Sequence, residues 1–226
     1  YEESLWSSSN RFKVVKPAAL VNDLTGNDCG VHRDYCYFSS IVDTGSGRLI
    51  VFYNAGSNVF ASTSDDNGIT WLESDVVTKG AIPKSVVSSD GKLWLMVYRD
   101  SSLYLTSSED SGMSWSEETK VNLPSGSVSH VHKYDFDYDD SGKMVIFYKS
   151  GKKAFITISY DEGITWSEPQ QVESENSSEY KVGDITVERI YSVNFMNNGD
   201  IWLIADLGGK VDYPGPISAY NDKLSK

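Results

Sequence analysis

The chain is poor in the residues that usually build metal centres and membrane spans. It has two cysteines and three histidines in 226 residues, and no set of Cys and His at zinc-binding spacing. Cys29 and Cys36 could close a small disulfide loop in an oxidising compartment or remain buried thiols. No run approaches the roughly 18 apolar residues of a membrane span. We therefore expect no metal, no cofactor and no membrane insertion.

Basic charge and helical patterns are also scarce. The 20 Lys and Arg residues are outnumbered by 32 Asp and Glu residues, which gives a formal net charge of −12. Such a surface repels polyanions, so the composition argues against nucleic acid or an anionic membrane as a partner. No long stretch repeats its apolar residues at the period of a helix, so we expect little helix. Aromatic residues and turn formers are plentiful instead, which favours an all-β domain.

A short motif, Ser-x-Asp-x-Gly-x-Thr/Ser-Trp, occurs three times, at residues 64–71, 108–115 and 159–166. Each copy lies between two β-rich runs, so we expect a hairpin connection there, which we call an Asp turn. The Asp can accept backbone N–H bonds, the Gly allows a positive φ, and the Trp ring can pack between neighbouring units. We expect purely structural roles for Ser64, Asp66, Gly68, Trp71, Ser108, Asp110, Gly112, Trp115, Ser159, Asp161, Gly163 and Trp166.

A calcium loop is the main alternative for the acidic clusters. Such a loop needs oxygen ligands at alternate positions and a Glu six residues after its Gly. The cluster at residues 65–67 has Ser74 where that Glu belongs. A second run has Asp140 at the Gly position; its alternating residues are Asp135, Asp137 and Asp139. The sequence therefore does not favour a metal site at either cluster.

The same order of segments precedes each Asp turn: an alternating strand, a Gly turn, and an apolar strand. A fourth copy follows the last Asp turn without a clean motif after it. The predicted first and second strands are residues 35–43 with 48–53, 84–90 with 92–98, 130–140 with 143–148, and 185–198 with 200–205. Outer strands follow the Asp turns, for example at 74–78 and 168–173. Four short strands per repeated unit predict a β-propeller of antiparallel blades, with four blades readable.

Both ends of the chain enter this prediction. We expect a single domain over residues 1–226, in which a strand near residues 12–16 closes the ring by completing the last blade. Residues 16–31 could add part of a fifth blade. Because the chain begins at Tyr1, we expect it to be an excised piece of a larger protein, through which it could also oligomerise.

The Asp turns resemble the Asp-box, or bacterial neuraminidase repeat, and residues 35–210 resemble the sialidase-type β-propeller superfamily. The resemblance implies that Asp turns join the third and fourth strands, on the face opposite the ligand site. It implies a glycan partner outside a cell or on a virion, as for the receptor-binding part of a phage tail or a bacterial surface protein. The implied carbohydrate-binding residues are Arg33, Tyr35, Tyr37, Asn54, Arg99, Asp100, His130, His132, Tyr134, Lys149, Arg189, Tyr191 and Asp206.

Two other functions stay open from the sequence. A sialidase-like hydrolase would need three arginines on the substrate carboxylate, an acid, an activating Glu and a Tyr nucleophile. The residues available for these roles are Arg33, Arg99, Arg189, Asp34, Glu188 and Tyr191. However, residues 81–84 lack the Arg of the superfamily's Arg-Ile-Pro signature, and fewer blades are readable than the usual six. A protein-docking propeller would instead show an exposed apolar patch. The sequence therefore favours a glycan binder over an enzyme, and a sialidase-like hydrolase and a protein-docking propeller remain the alternatives.

Overall fold

The computed structural model describes residues 37–45, 47–123, 134–172 and 186–208, in which every regular element is a β-strand. In these residues no helix is long and apolar enough to cross a membrane. The two cysteines, the strand predicted near residues 12–16 and the predicted part of a fifth blade lie outside the described residues. The strands are β1 Tyr37–Asp43, β2 Leu49–Ala55, β3 Asn58–Ser64, β4 Asp75–Lys79, β5 Ala81–Val87, β6 Leu93–Arg99, β7 Ser102–Ser108, β8 Thr119–Lys120, β9 Tyr134–Tyr138, β10 Met144–Ser150, β11 Lys153–Ser159, β12 Gln170–Gln171, β13 Thr186–Phe195 and β14 Ile201–Gly208.

The strands form successive antiparallel sheets in chain order. β1–β4, β5–β8 and β9–β12 are four-stranded sheets in which each strand pairs with the next one along the chain. We call these sheets blades 1, 2 and 3. Blade 4 is the pair β13–β14, a two-stranded sheet within the described part of the chain. The prediction of four-stranded antiparallel blades is thus confirmed for three units.

In blades 2 and 3 the second strand is apolar on both sides because it lies between two neighbouring blades. The second strand of blade 1 contributes one of its sides to the same packing. In β2, Ile50 and Phe52 are 1% and 0% exposed. They belong to one buried cluster with Leu93, Leu95 and Val97 of β6. Burying one such side chain completely contributes about 1.5–3 kcal/mol. This contact between blade faces is therefore the core of the fold.

The same alternation continues along the chain. Because side chains alternate along a strand, residues two, four and six of a second strand face the following blade, and residues one, three, five and seven face the preceding one. In β10, Met144 and Ile146 cluster with β6 of blade 2, whereas Val145 and Phe147 cluster with β14 of blade 4. Sheets that pack face to face in series form the β-propeller that the sequence predicted.

Each Asp turn connects the third and fourth strands of its blade, as predicted. In the first turn, Ser64 Oγ donates to Asp66 Oδ1 (2.8 Å) and accepts from Gly68 N (2.8 Å). Asp66 also accepts from Thr70 N (2.8 Å) and from Thr70 Oγ1 (2.7 Å). The same bonds recur in the other two turns. All these partners lie within seven residues, so a short sequence is enough to specify the turn.

These hydrogen bonds hold the turn carboxylates in their charged form. Bonds from Thr70 lower the pKa of Asp66 to about 2, and bonds from Ser114 lower the pKa of Asp110 to about 2. Bonds from Thr165 lower the pKa of Asp161 in the same way. A charged acceptor makes stronger hydrogen bonds than a neutral one, which favours the folded turn.

The Gly and Trp of the Asp turns contact the preceding blade. Gly163 has a φ of +84°, and a Cβ added there would lie 2.5 Å from Leu105 Cδ2 of blade 2. A Cβ at Gly112 would come within 2.9 Å of a blade 1 side chain. Trp115 meets Phe52 of blade 1 edge to face, with ring centroids 5.7 Å apart. The Asp turns therefore fasten blades together as well as closing hairpins.

The two faces of the propeller carry different turns. Asn67 N donates to Gly47 O (2.9 Å) and Glu162 N donates to Gly142 O (3.1 Å), so the Asp turns share a face with the turns between first and second strands. We call this the Asp-turn face. The opposite face carries the hairpins between second and third strands, at residues 55–58, 99–102 and 150–153.

Candidate functional site

The first strands of the blades are innermost and are joined by side chains. Ser40 Oγ of β1 lies 2.6 Å from Ser85 Oγ of β5. Lys84 Nζ of β5 forms an ion pair with Asp135 Oδ1 of β9, at 3.2 Å. Asp135 Oδ2 accepts from Val193 N of β13 (3.0 Å). A chain of polar contacts therefore runs across β1, β5, β9 and β13 along the inner wall.

Two carboxylates of β9 are buried in this wall. Asp135 and Asp137 lie two residues apart, on the same side of the strand, and Asp137 Oδ2 accepts from Phe195 N (2.7 Å). Burial raises the pKa of both carboxyls above the ordinary value, and Lys84 opposes that shift at Asp135. The acidic alternation noted in the sequence thus serves backbone N–H groups of β13. Among the described residues, no group of three or more His, Cys, Asp or Glu could hold a metal ion.

On the opposite face, one strand position changes from blade to blade. The sixth residue of the second strand is Asn54 in β2, Tyr98 in β6, Lys149 in β10 and Asp206 in β14. The first three are equivalent in their pairing with the third strands. Asn54 and Lys149 are 7% and 5% exposed, and Tyr98 is half-buried. We call these four the seam residues, because in blades 1 to 3 the sixth position faces the next blade; for Asp206 only the backbone is described.

Ile82, at the start of β5, has a backbone conformation that β-branched residues seldom adopt. Its φ is +52°, and the pairing of β5 with β6 is interrupted between Ala81 and Lys84. A left-handed backbone at such a residue costs about 1–3 kcal/mol and persists only where the surroundings impose it. Residues strained in this way concentrate at functional sites. Ile82 therefore marks the opposite face as the place to look for a ligand site.

Side chains from two neighbouring blades hold Ile82 in place. Asn54 Oδ1 of blade 1 accepts from Ile82 N (3.3 Å). Tyr134 Oη of blade 3 donates to Ile82 O and lies 3.2 Å from Met96 O. We call Asn54, Ile82 and Tyr134 the Ile82 clamp. Tyr134 is 1% exposed, and burial raises the pKa of its hydroxyl, which keeps the donor proton on the oxygen.

The position of Tyr134 changes its assignment. The resemblance placed it among the implied carbohydrate-binding residues, with a core position as the alternative. In the structure its ring packs in the core between blades 2 and 3. A buried ring has no face to offer a ligand, so we correct its assignment to a core residue whose hydroxyl binds backbone.

Arg99 also lies elsewhere than the sequence suggested. Its Nη2 binds Glu118 Oε2 at 2.6 Å, its Nη1 donates to Lys79 O (3.0 Å), and its guanidinium lies 4.0 Å from the Tyr104 ring centroid. Lys79 ends the outer strand β4, so this cluster lies at the outer edge between blades 1 and 2. The seventh position of β6 faces the preceding blade, which explains why Arg99 is directed away from the seam. We therefore remove Arg99 from the set of ligand-binding candidates.

The remaining candidates fall into four groups. Arg189 and Tyr191 are exposed on β13, Tyr191 to 48%. Asp100 is exposed in the β6–β7 hairpin, with a φ of +49°. For Tyr37, Glu188 and Asp206 only the backbone is described; Arg189 is paired with Asp206 across β13 and β14. Outside the described residues lie Arg33, Asp34, Tyr35, His130 and His132.

We call the seam residues, Ile82, Arg189 and Tyr191 the mouth.

The sequence did not single out Ile82 or Tyr98 as candidate binding residues. Tyr98 could have been found by counting to the sixth residue of each second strand, because Asn54 and Lys149 occupy that position. Ile82 gave no such signal, since its positive φ depends on partners about 28 and 52 residues away in the chain.

One protein-family model matches this chain. Residues 39–189 match the model of a family described as the BNR repeat-like domain. No curated protein matches the chain in sequence.

Solved structures of similar fold are distant in sequence. A protein of unknown function from Dyadobacter fermentans superposes with a TM-score of 0.58 at 13% identity, over 78% of this chain and 63% of its own. The NanB sialidase from Streptococcus pneumoniae gives 0.56 at 17% identity, over 76% of this chain and 28% of its own. A Hadza microbial sialidase gives 0.53 at 19%, over 75% and 42%. This chain thus spans less than two thirds of each, and the likeness shows the fold alone, a sialidase-type β-propeller.

Proposed function

This chain belongs to the BNR repeat-like domain family, and from that premise we propose that it is a glycan-binding β-propeller with its ligand at the mouth. The observation that carries the proposal is the variation of the seam residues. The first five residues of every second strand are aliphatic or aromatic, as packing between blades requires. The sixth position instead carries an amide in blade 1, a phenol in blade 2 and an ammonium group in blade 3, which is more variety than packing alone requires.

The mouth offers the side chains that a sugar site needs. The exposed ring of Tyr191 can stack on the apolar face of a sugar. The exposed guanidinium of Arg189 presents its donors in a fork that suits hydroxyl or carboxylate oxygens. Asn54 and Lys149 place polar groups in poorly hydrated surroundings, where hydrogen bonds gain strength. A few fixed polar groups beside apolar surface are typical of sites for small ligands.

The comparisons also support a sugar as the ligand. Two of the similar structures are sialidases by name. The partner we propose is a cell-surface polysaccharide or glycoconjugate. The protein would then act outside a cell or on a virion, as the receptor-binding part of a phage tail or of a bacterial surface protein.

A sialidase-like hydrolase is the second candidate, and one observation favours it. Arg189 and Tyr191 are both exposed, two residues apart on β13. Against it, Arg99 is bound to Glu118 at the outer edge, and Arg48 pairs with Asp65 on the Asp-turn face (3.2 Å). Two of the five arginines are thus bound away from the mouth, which weakens the case for a three-arginine clamp. Binding without turnover is the better-supported function.

A glycan array with neutral, sialylated, uronic-acid and sulfated oligosaccharides tests the proposal. Wild-type protein should bind at least one class. Arg189→Ala should raise the apparent Kd about tenfold, which corresponds to roughly 1.4 kcal/mol. Arg48→Ala is the matched control on the Asp-turn face and should bind like the wild type. No binding to any oligosaccharide class at high protein concentration would contradict the proposal. An equal loss of affinity in Arg48→Ala would contradict it as well.

A fluorogenic sialoside separates the two candidates. A binding protein releases no fluorophore from it. Turnover that disappears in Tyr191→Phe would instead establish a hydrolase, because the phenol oxygen is the nucleophile in that mechanism.

A further inference from the structure

The Ile82 clamp joins three blades at one point of the mouth. Asn54 belongs to blade 1, Ile82 to blade 2 and Tyr134 to blade 3. Both backbone polar groups of Ile82 are bound by these side chains, across blade boundaries, instead of by the neighbouring strand of its own sheet. The backbone of Ile82 is therefore held by side chains of both neighbouring blades.

Ile82 differs from the other left-handed residues in the described part of the chain. The others that are not glycine lie in turns, where this conformation is common; they are Asn67, Asp100, Ser101, Ser111 and Glu162. Ile82 lies inside a strand, and its β-branched side chain makes the conformation less favourable still. A bulge in a strand redirects the residues beside it and often lies next to a ligand site.

We propose that Asn54 and Tyr134 are positioning residues, which hold Ile82 in its left-handed conformation and thereby keep the mouth in the shape that binds the glycan. This inference rests on the proposed function. A mouth already fixed before binding loses less conformational freedom when the ligand arrives, so the clamp acts on affinity. Tyr134 acts from the core, without touching the ligand.

The first test removes the Tyr134 hydroxyl and keeps its ring. Tyr134→Phe leaves the core packing in place but takes the donor from Ile82 O. The apparent Kd on the same oligosaccharide array should rise about tenfold relative to the wild type. Thr106→Val is the matched control, because it removes another buried hydroxyl, which donates to Ser116 O (2.8 Å) and to none of the three clamp residues. The control should lower the Tm and leave the Kd unchanged.

The second test changes the backbone freedom at residue 82. Ile82→Gly and Ile82→Asn both remove the half-buried side chain, but Asn adopts the left-handed region far more readily than other non-glycine residues do, whereas Gly leaves the backbone free. We expect Ile82→Asn to bind close to the wild type and Ile82→Gly to bind about tenfold more weakly. Equal affinity of the two variants would overturn the inference.

Hydrogen–deuterium exchange without any glycan keeps the inference separate from the proposed function. Exchange at residues 81–85 should rise in Tyr134→Phe and Ile82→Gly and stay unchanged in Thr106→Val. Unchanged exchange in the clamp variants would overturn the clamp itself. Raised exchange in a protein that binds no glycan on the array would contradict the proposed function and reduce the clamp to a structural device.

Discussion

The Asp-turn face and the opposite face of this propeller are built in opposite ways. On the Asp-turn face, one set of hydrogen bonds among Ser, Asp, Gly and Thr/Ser recurs in three blades. On the opposite face, the seam position carries a different polar side chain in every blade. Repetition is typical of contacts that maintain a fold, because each unit needs the same support. The difference indicates that the first face contributes to stability, and it agrees with our proposal that the ligand binds at the second.

We expect the largest difference in stability between two Gly→Ala variants, one on each face. Gly163→Ala places a Cβ 2.5 Å from Leu105 Cδ2 at a φ of +84°. We expect it to lower the free energy of unfolding by about 2–5 kcal/mol, from backbone strain and overpacking together. Gly151→Ala, in the opposite-face hairpin, has a φ of +59° and no atom within 4 Å, so it should cost only about 1–2 kcal/mol. Urea denaturation measures both, and equal losses would remove the structural distinction between the faces.

A second pair separates stability from affinity. Ser64 is 0% exposed, and Ser64→Ala should cost about 1–3 kcal/mol of stability, because Gly68 N loses its acceptor. Its glycan binding should match the wild type. Asn54→Ala should cost about 1 kcal/mol and also raise the apparent Kd about tenfold. Weakened binding in Ser64→Ala, measured at a temperature well below its unfolding transition, would contradict the division of roles.

The carboxylates of the Asp turns and of the inner wall should respond oppositely to acid. The folded state lowers the pKa of Asp110 to about 2 from 3.8, so this group stabilises the fold above pH 4 and loses that effect as the pH falls towards 2. Burial raises the pKa of Asp137, so protonation of that group favours the folded state. Tm measured from pH 6 to pH 2 should therefore fall less steeply in Asp110→Asn than in the wild type, and more steeply in Asp137→Asn. Parallel curves for the three proteins would contradict this assignment.

The smallest effect is expected at an exposed apolar residue of an Asp turn. Ile164 is 73% exposed, so Ile164→Ser should change stability by no more than about 0.5 kcal/mol. Its glycan array profile should equal that of the wild type. A selective loss of binding would move the ligand site to the Asp-turn face.

The Asp turns could be predicted from the sequence because they are local. Every hydrogen bond that defines the first turn joins residues between Ser64 and Thr70. The four-stranded blades followed from the spacing of these turns, since each turn closes the last hairpin of its blade. Neither inference required knowledge of which blade packs on which.

The site could be predicted only in part because it depends on strand register. Asn54 and Lys149 were identified as opposite-face residues, and both are seam residues. Arg99 lies one position further along its strand, and that single step directs it towards the preceding blade and Glu118. A single step also matters in β9. Tyr134 faces the core between blades 2 and 3, whereas the next residue, Asp135, faces the inner wall. Counting along the second strands separates Arg99 from the seam position, whereas the placement of Tyr134 depends on packing between distant segments.

The most direct test of the division between the faces is a hydrogen–deuterium exchange footprint with the array oligosaccharide that gives the strongest signal. We expect that glycan to slow exchange at residues 81–85, 149–153 and 186–191, and to leave residues 64–71, 108–115 and 159–166 unchanged. Slower exchange at the three Asp turns, with none around Ile82 and Arg189, would contradict it.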